Sequence, residues 1–333
     1  MRRLALLALV LAAACSDALE QTSTAGQVIA FGNSSALTLI TAVDFRDSTV
    51  GLSVGYPLMR VAGRQSVFLV VQSTGIRSDT RVTVLDLVSA GATSDAFSLA
   101  AGGAATAIQN DSIAWITMGG TVARANYRTH GASSVTVGGI ASDVLFTAGN
   151  VFVVTAAADG ASWIAVIDPA RDSVVDSIPL TGTYAGSAAL GGDSLLYVVT
   201  AGAQGRADGR VSVVHPVARR ELAVINGLGD GAGAPLFHPS GRLLVGSATQ
   251  GILEVNTLTR TLTHGPGGGK KPGGHGVTGL ALDNRGRVYA GDAVSCTASP
   301  GVVHVLSAPP DYDDIRSVAV SGCPLSAAVA VRP

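Results

Sequence analysis

The chain has 333 residues, of which 47% are hydrophobic, so it is long enough for one large domain or two ordinary ones with an ample core. Charged residues make up only 14% and the formal net charge is -1, which excludes both a basic surface for nucleic acid and an acidic tail. Glycine, with 42 residues, together with many Val, Ile, Thr and Ser residues, favours short strands joined by tight turns over helices.

The first 25 residues carry the pattern of an export signal. Residues 1–3 are positively charged, and residues 4–14 (LALLALVLAAA) form an apolar stretch of signal-peptide length, too short to span a membrane as a mature helix. Residues 11–15 (LAAAC) resemble the lipobox of bacterial lipoproteins, in which the cysteine is lipidated and becomes the new N-terminus. Ala12 stands where leucine is the commoner residue of that motif.

This resemblance implies a signal peptide at 1–14, lipidation at Cys15, and a polar tether over the rest of residues 15–25. The acyl chains would anchor an exported chain to the membrane by burying methylene groups. We therefore expect an outer-membrane or cell-surface lipoprotein. The alternative is an ordinary secretory signal cleaved nearby, which would leave a periplasmic or secreted protein.

Cysteine usage agrees with export. Apart from Cys15, the chain contains only Cys296 and Cys323. In an oxidising compartment an even pair predicts a disulfide; the alternative is two unpaired buried thiols. Neither these cysteines nor the six histidines show the spacing of a metal site, so we expect no metal and no cofactor.

From residue 26 onward the sequence repeats. Seven short apolar runs begin at residues 28, 67, 113, 151, 195, 243 and 288, and six of them follow a turn signal rich in Gly, Asn or Asp. A second series consists of a strand, a polar turn starter and another strand. Its turn starters are Asp44, Asp86, Asn126, Asp168, His215 and Asn256, with Ser307 in a looser seventh copy. The first six are 40 to 47 residues apart, which predicts a four-stranded meander as the repeating unit.

Residues 26–333 are therefore predicted to form a single all-β domain, a seven-bladed β-propeller of four-stranded antiparallel blades. The first apolar run, VIAFGNS, has no strand before it, while PLSAAVAV at residues 324–331 is left over at the other end. Placing this C-terminal strand in the N-terminal blade completes that blade and closes the ring. Closure removes the two exposed sheet edges that an open ring would leave.

The blade motifs resemble a known family. VFVVTAA at 151–157, with VIDP after it, and LYVVTAG at 196–202 look like the YVTN-repeat propellers of bacterial and archaeal exported and surface proteins. FHPSGRLLVGSA at 237–248 is similar to that family's turn between the two innermost strands. The resemblance covers residues 26–331, although the stretches 26–55 and 104–139 match only in pattern. It implies the fold and little chemistry, because most members have no assigned function and a minority of related propellers are lactonases or bind nucleic acid or protein.

Few motifs suggest chemistry. Residues 51–55 (GLSVG) match the G-x-S-x-G nucleophile elbow, but Ser53 lies in a strand pattern with no helix after it. Residues 227–233 (GLGDGAG) resemble a dinucleotide loop but lead into a strand, so we interpret them as a flexible connection between blades. The Gly-rich stretch 263–276 contains Lys270, Lys271 and His275. It predicts either a mobile anion-binding lip over one end of the channel or a disordered insertion.

Three functions remain. The first is a non-enzymatic binding or scaffold module of the cell envelope, monomeric and lipid-anchored, with an envelope protein or glycan as partner and no nucleic acid. The second is a lactonase-like hydrolase that acts on a small exported substrate at the channel mouth through a metal or an acid/base pair. The third is a redox-cofactor propeller, disfavoured because the only tryptophans, Trp115 and Trp163, occur in core-like strand patterns. The sequence identifies no catalytic residue and favours the first function.

Overall fold

The computed structural model describes residues 26–33, 35–52, 58–74, 79–88, 91–296 and 300–332. The predicted signal peptide, Cys15 with its tether, and Ser53 all lie outside these residues. The helical segments of the described part are two short 3-10 turns, Pro272–Gly274 and Ala293–Cys296. Neither has the length and apolarity needed to cross a membrane.

The described residues form seven four-stranded antiparallel sheets. In chain order the strands are β1 (Gln27–Gly32), β2 (Ala36–Thr41), β3 (Asp47–Gly51), β4 (Leu58–Arg64), β5 (Val67–Ser73), β6 (Thr80–Val88), β7 (Gly91–Leu99), β8 (Gly103–Ile108), β9 (Ile113–Met118), β10 (Thr121–Asn126), β11 (Ala132–Thr136), β12 (Ile140–Thr147), β13 (Asn150–Ala156), β14 (Ser162–Asp168), β15 (Ser173–Leu180), β16 (Ala185–Leu190), β17 (Leu196–Thr200), β18 (Gly209–His215), β19 (Arg220–Gly229), β20 (Ala232–His238), β21 (Arg242–Ser247), β22 (Gly251–Asn256), β23 (Thr261–His264), β24 (Val277–Leu282), β25 (Val288–Asp292), β26 (Gly301–Leu306), β27 (Asp314–Val320) and β28 (Ser326–Val331).

The sheets are the blades of a closed ring. Blade 1 contains β28, β1, β2 and β3, and blades 2 to 7 each take the next four strands in order, from β4–β7 to β24–β27. The first strand of each blade contacts the first strands of both neighbours, from β4 round to β28 and back to β4. β28 pairs antiparallel with β1, so that Val331 lies opposite Gln27 and Ser326 opposite Gly32. The predicted seven-bladed propeller and its closure by the C-terminal strand are confirmed.

The core is divided into seven apolar layers, one between each pair of neighbouring blades. Because a blade packs against a neighbour on each face, the second strands are covered on both sides. All seven residues of β5 are buried, which explains why the sequence shows a continuous apolar run there. A fully buried side chain such as Phe68 stabilises the fold by about 1.5–3 kcal/mol.

Most predicted turn starters start the outer hairpin of their blade. Asp168 is typical, since its Oδ1 accepts a hydrogen bond from the Ala170 N–H at 2.9 Å. Each of the following accepts a bond of this kind from a backbone N–H a few residues later: Asp44, Asn126, His215, Asn256 and Ser307. WIAVIDPARDSVVDSIPL, residues 163–180, is therefore the outer hairpin of blade 4.

Asp86 is an exception, and its prediction as a turn starter is wrong. It lies inside β6, opposite Thr93, because the outer hairpin of blade 2 continues to Val88 before it turns. Its carboxylate instead pairs with Arg128 of blade 3, with Arg128 Nη1 at 2.6 Å from Asp86 Oδ2. Asp86 thus ties two blades together.

Residues 227–233 do connect blades 5 and 6, as interpreted, but most of them belong to the two strands rather than to a loop. β19 extends to Gly229, β20 begins at Ala232, and Leu228 between the glycines is fully buried. Gly227 and Gly229 adopt φ angles of 96° and 68°, which other residues rarely tolerate. Glycine therefore allows the irregularity in the pairing of β19 with β18, in which Gly229 pairs with Gly209 and Asn226 with Arg210.

A disulfide joins Cys296 to Cys323, as the cysteine count predicted. Cys296 ends the 3-10 turn after β25, and Cys323 lies just before the closing strand β28. The bond spans a sequence separation of 27 residues that includes β26 and β27. It therefore ties the outer half of blade 7 to the entry of the strand that closes the ring.

We expect reduction of this disulfide to lower the free energy of unfolding by about 2–4 kcal/mol, because the cross-link restricts the unfolded chain. Urea unfolding with and without a thiol reductant measures the difference. A double variant, Cys296→Ser with Cys323→Ser, should show the lower stability in both conditions. An unfolding midpoint of the wild type that does not respond to reductant would show that the two thiols do not pair.

Candidate functional site

The innermost strands surround a central channel, which holds a cavity of about 440 Å³. Most of its lining residues are Gly, Ala or aliphatic, as the convergence of strands on the axis requires. The polar residues among them are Arg60, Thr106, Ser142, Asp143 and Ser187. Arg60 and Asp143 are the ionisable groups among the described residues that line this cavity.

A β-bulge interrupts the innermost strand in each of blades 3 to 7. In β12 the pairing with β13 shifts between Ala141 and Asp143, which leaves Ser142 as the extra residue. A bulge breaks the alternation of a strand and redirects the side chains beside it. Here it allows Ser142 to reach blade 5 while Asp143 lines the channel.

Hydroxyl groups on the innermost strands link neighbouring blades through backbone atoms. The links are Ser142 Oγ to the Ala185 oxygen (2.9 Å), Ser187 Oγ to the Gly233 oxygen (3.1 Å), Thr278 Oγ1 to the Pro324 oxygen (2.8 Å), and the Val61 N–H to Ser326 Oγ (3.1 Å). At four junctions of the ring, hydroxyl groups therefore contribute a link between the innermost strands.

Asp143 links two blades in a similar way, but with a charge. Its Oδ1 accepts from the Val144 N–H and its Oδ2 from the Ala188 N–H of blade 5, both at 2.8 Å. By exposed area Asp143 is half-buried, but the channel walls surround it with protein of low dielectric constant. This desolvation raises the pKa of Asp143 to about 6, although the two N–H groups and the charge of Arg60 act to lower it.

The pKa of Asp143 predicts a pH-dependent stability. Because the folded-state pKa of about 6 exceeds the ordinary value of 3.8, the folded chain binds more protons than the unfolded chain between these pH values. As pH rises from 4 to 7 we expect the wild type to lose about 1–3 kcal/mol relative to Asp143→Asn. Urea unfolding of both chains across this range measures the difference. Parallel stability curves would contradict the raised pKa.

Arg60 lies on β4, on another wall of the same cavity. Its guanidinium is exposed to the channel, and its Nη1 donates to the Met59 oxygen at 3.0 Å. Sequence reasoning missed both Arg60 and Asp143. The sequence did contain a signal for them. Ring closure makes the first strand of each blade the innermost one, so a charged residue in a first strand is a candidate for the channel wall.

The three residues of the predicted anion-binding loop lie along one edge of blades 6 and 7. The backbone of Lys270 exchanges hydrogen bonds with Ile252 at 2.7 and 3.0 Å, and Lys271 directly precedes the Pro272–Gly274 turn. His275 places its Nδ1 2.9 Å from Asp292 Oδ2, so its nearest charged partner is an anionic group of the protein. These residues make contacts with blades 6 and 7, unlike the disordered insertion that was the alternative prediction. Their anion-binding role stays a prediction.

Asp292 also contacts a second histidine. His304 Nε2 lies 3.4 Å from Asp292 Oδ2, and His304 Nδ1 lies 3.2 Å from Ser317 Oγ. Desolvation opposes ionisation of Asp292, but hydrogen bonds from His275, the Val294 N–H and His304 hold its pKa below the ordinary value. The Asp–His–Ser order resembles that of a hydrolytic triad.

Asp292 and His304 of this group are buried, whereas Ser317 is exposed. A Cβ added at Gly273 would lie 2.9 Å from His304 Cε1, so the Gly-rich segment packs directly on the imidazole. The interactions therefore hold that segment against blade 7. Among the residues that the structure describes, no three His, Cys, Asp or Glu side chains are arranged to hold a metal ion.

A larger cavity, of about 670 Å³, lies between blades 5 and 6 at their turns. Its walls include Phe237, Pro239, Arg260 and Leu258, of which Leu258 is 90% exposed. The cavity is mainly apolar, and the charged residues among those that line it are Asp193 and Arg260.

No family model matches the chain, and no curated protein matches its sequence. Solved structures do match its fold. Hydrazine synthase from Kuenenia stuttgartiensis is 13% identical with a TM-score of 0.64, over 80% of this chain and 87% of that chain. Apo AztD from Citrobacter koseri is 10% identical with a TM-score of 0.55, over 91% and 97%. The computationally designed protein Ika8 is 13% identical with a TM-score of 0.58, over 90% and 86%. At these identities the likeness shows the fold alone.

Proposed function

We propose that this protein is an exported β-propeller, anchored by lipid at Cys15, that serves as a non-enzymatic binding module of the cell envelope and binds its ligand in the central channel. The observation that carries the proposal is the composition of the channel wall. Small residues leave a cavity of about 440 Å³, within the range of ligand sites, and one carboxylate and one guanidinium line it among the residues that the structure describes.

The same wall supports binding better than hydrolysis. A hydrolase that uses an acid/base pair needs two groups that exchange protons near neutral pH. Asp143 can do so, but Arg60 cannot, because a guanidinium stays protonated in proteins. Both oxygens of Asp143 also already accept backbone N–H groups, which fixes the carboxylate in place. These features suit a group that holds a ligand.

The lipobox-like residues 11–15 and the YVTN-like blade motifs support the location at the envelope. Metabolic labelling with an alkyne-bearing palmitate tests the anchor. The wild-type chain should carry the label and sediment with membranes, whereas Cys15→Ser should lose the label. A soluble, unlabelled wild type would refute the lipid anchor and indicate a secreted protein instead.

Turnover assays test the non-enzymatic role. The purified chain is mixed with a panel of γ-lactones and acyl homoserine lactones, and ring opening is followed by proton release. We expect the rate to equal that of buffer alone. Turnover that Asp143→Asn abolishes would establish the lactonase-like alternative and overturn the proposal.

A further inference from the structure

Two opposite charges share the channel without touching. Arg60 on β4 and Asp143 on β12 line the same cavity, and the charge of Arg60 acts on Asp143. They nevertheless form no ion pair within 4.0 Å. Their separation leaves one positive and one negative group facing a common space.

The carboxylate of Asp143 is not required merely to join blades 4 and 5. Ser142 Oγ already donates to the Ala185 oxygen of blade 5 at 2.9 Å, and on the innermost strands of blades 5 and 7 a hydroxyl makes the corresponding link to the next blade. Desolvation makes the ionised form of Asp143 unfavourable in the folded chain. A charge that opposes folding and duplicates a structural link is typical of a binding group.

Both groups line the cavity and keep hydrogen-bonding capacity that these contacts with the protein do not use. Each Asp143 oxygen accepts one backbone N–H and keeps a further lone pair for a cationic donor. Arg60 uses Nη1 for the Met59 oxygen, which leaves other N–H donors of its planar fork for a carboxylate.

The chemistry of the walls selects the class of ligand. A dianion would be repelled by Asp143 and a dication by Arg60, whereas an apolar molecule would leave both charges desolvated. A molecule with one carboxylate and one ammonium group satisfies both. We infer that the channel binds a small zwitterion, an amino acid or a dipeptide, with its carboxylate on Arg60 and its ammonium on Asp143. This inference rests on the proposed role as a binding module.

Thermal unfolding and calorimetric titration of the purified chain test the inference with matched probes. L-alanine and glycyl-L-alanine carry both charges, N-acetyl-L-alanine lacks the ammonium, and L-alaninamide lacks the carboxylate. We expect at least one of the two zwitterions to bind and raise the unfolding midpoint. Each single-charge analogue of L-alanine should bind at least about tenfold more weakly than the zwitterion, since it loses a charge-assisted contact.

Substitutions test which protein group contacts the carboxylate of the ligand and which contacts its ammonium group. Arg60→Met and Asp143→Asn should each weaken zwitterion binding by about tenfold or more. Thr278→Val is the matched control, because Thr278 also joins two blades but does not line the cavity. It should unfold more easily and bind the zwitterion as the wild type does. Loss of binding in Thr278→Val to the same extent would show that Asp143 acts only through the junction and would overturn the inference.

The pH dependence gives a further readout. Arg60 is the charged group that faces Asp143, and β16 contributes the Ala188 N–H. Because the pKa of Asp143 is about 6, zwitterion affinity should fall between pH 7 and pH 5 in the wild type and not in Asp143→Asn. N-acetyl-L-alanine that binds as tightly as L-alanine, or a chain that none of the probes stabilises, would overturn the zwitterion inference. Neither result touches the non-enzymatic role, which fails on measured turnover, or the lipid anchor, which fails on the labelling test.

Discussion

A chain that ends at Cys323, and therefore lacks β28, is expected to lose its cooperative unfolding transition. β28 is the innermost strand of blade 1, pairs with β1 over six residues, and contacts β4 and β24. Its removal exposes the edge of β1 and opens the apolar layers on both faces of blade 1. The combined loss exceeds the roughly 5–15 kcal/mol by which a domain is stable. Circular dichroism during heating, together with protease resistance, measures the effect.

A rearranged chain provides the matched control. Residues 324–332 are moved in front of Gly26 and joined to it by an Asn-Gly turn, while both cysteines remain. Arg332 and Gly26 are already hydrogen-bonded neighbours, and the first two strands of blade 4 are joined by a turn of the same length, at residues 148–149. This chain should regain the transition that the truncated chain lacks. A truncated chain with the wild-type midpoint would show that closure contributes nothing.

Arg242→Met is expected to lower the free energy of unfolding at pH 7 by about 3–5 kcal/mol. Its partner Glu254 is 0% exposed and receives a charge-assisted hydrogen bond from Arg242, which is itself 25% exposed. Thr263 Oγ1 at 2.6 Å, the Tyr312 hydroxyl and His264 Nδ1 at 3.6 Å are the other partners of the carboxylate. Removal of Arg242 takes away the partner that is always positively charged and leaves the buried carboxylate beside an imidazole. Urea unfolding measures the change.

The pH dependence of this change has a definite sign. Desolvation works to raise the pKa of Glu254, but the hydrogen bonds of Thr263 and Tyr312 and the charge of Arg242 outweigh it, so the pKa lies below the ordinary 4.5. A depressed pKa stabilises the fold above the unfolded value, and this stabilisation is lost as pH falls through the folded value. The difference between the wild type and Arg242→Met should therefore shrink in acid.

Two variants serve as controls for the Glu254 cluster. Arg46→Met removes a partner that is 86% exposed, at 3.1 Å from Asp44, and should change stability far less than Arg242→Met does. A double variant, Arg242→Met with Glu254→Leu, should recover part of the loss because no unpaired charge remains. Equal effects of Arg46→Met and Arg242→Met would show that Glu254 is not buried as an anion.

The fold was predictable because each blade repeats the same local chemistry. Residues such as Asp168 and Asn256 fix the outer turns through their own side chains, so the turn positions depend on a few neighbours in sequence. The predicted turn at Asp86 was wrong because the length of that hairpin, and not the type of residue, sets the position of its turn. The hairpin after Asp86 is longer than the others, and no turn residue marks that difference.

The candidate site could not be predicted in the same way. Arg60 and Asp143 belong to different blades and share a cavity only once the ring has closed. The bulge at Ser142 also breaks the alternation by which sequence assigns a side chain to one face of a strand. Closure of the ring places the first strand of each blade innermost. Which residues of these strands face the axis depends on β-bulges, and no residue pattern in the sequence predicts where the bulges occur.

The division of the core into seven layers makes the energetics of this chain local. Phe68 packs in the layer between blades 1 and 2, whereas Leu243 packs between blades 5 and 6. The two share no neighbours, so the free-energy changes of Phe68→Ala and Leu243→Ala should add, while two substitutions within one layer should couple. Natural variation can therefore alter one pair of neighbouring blades, and the part of the channel that these blades contribute. The layers between distant blades keep their stability.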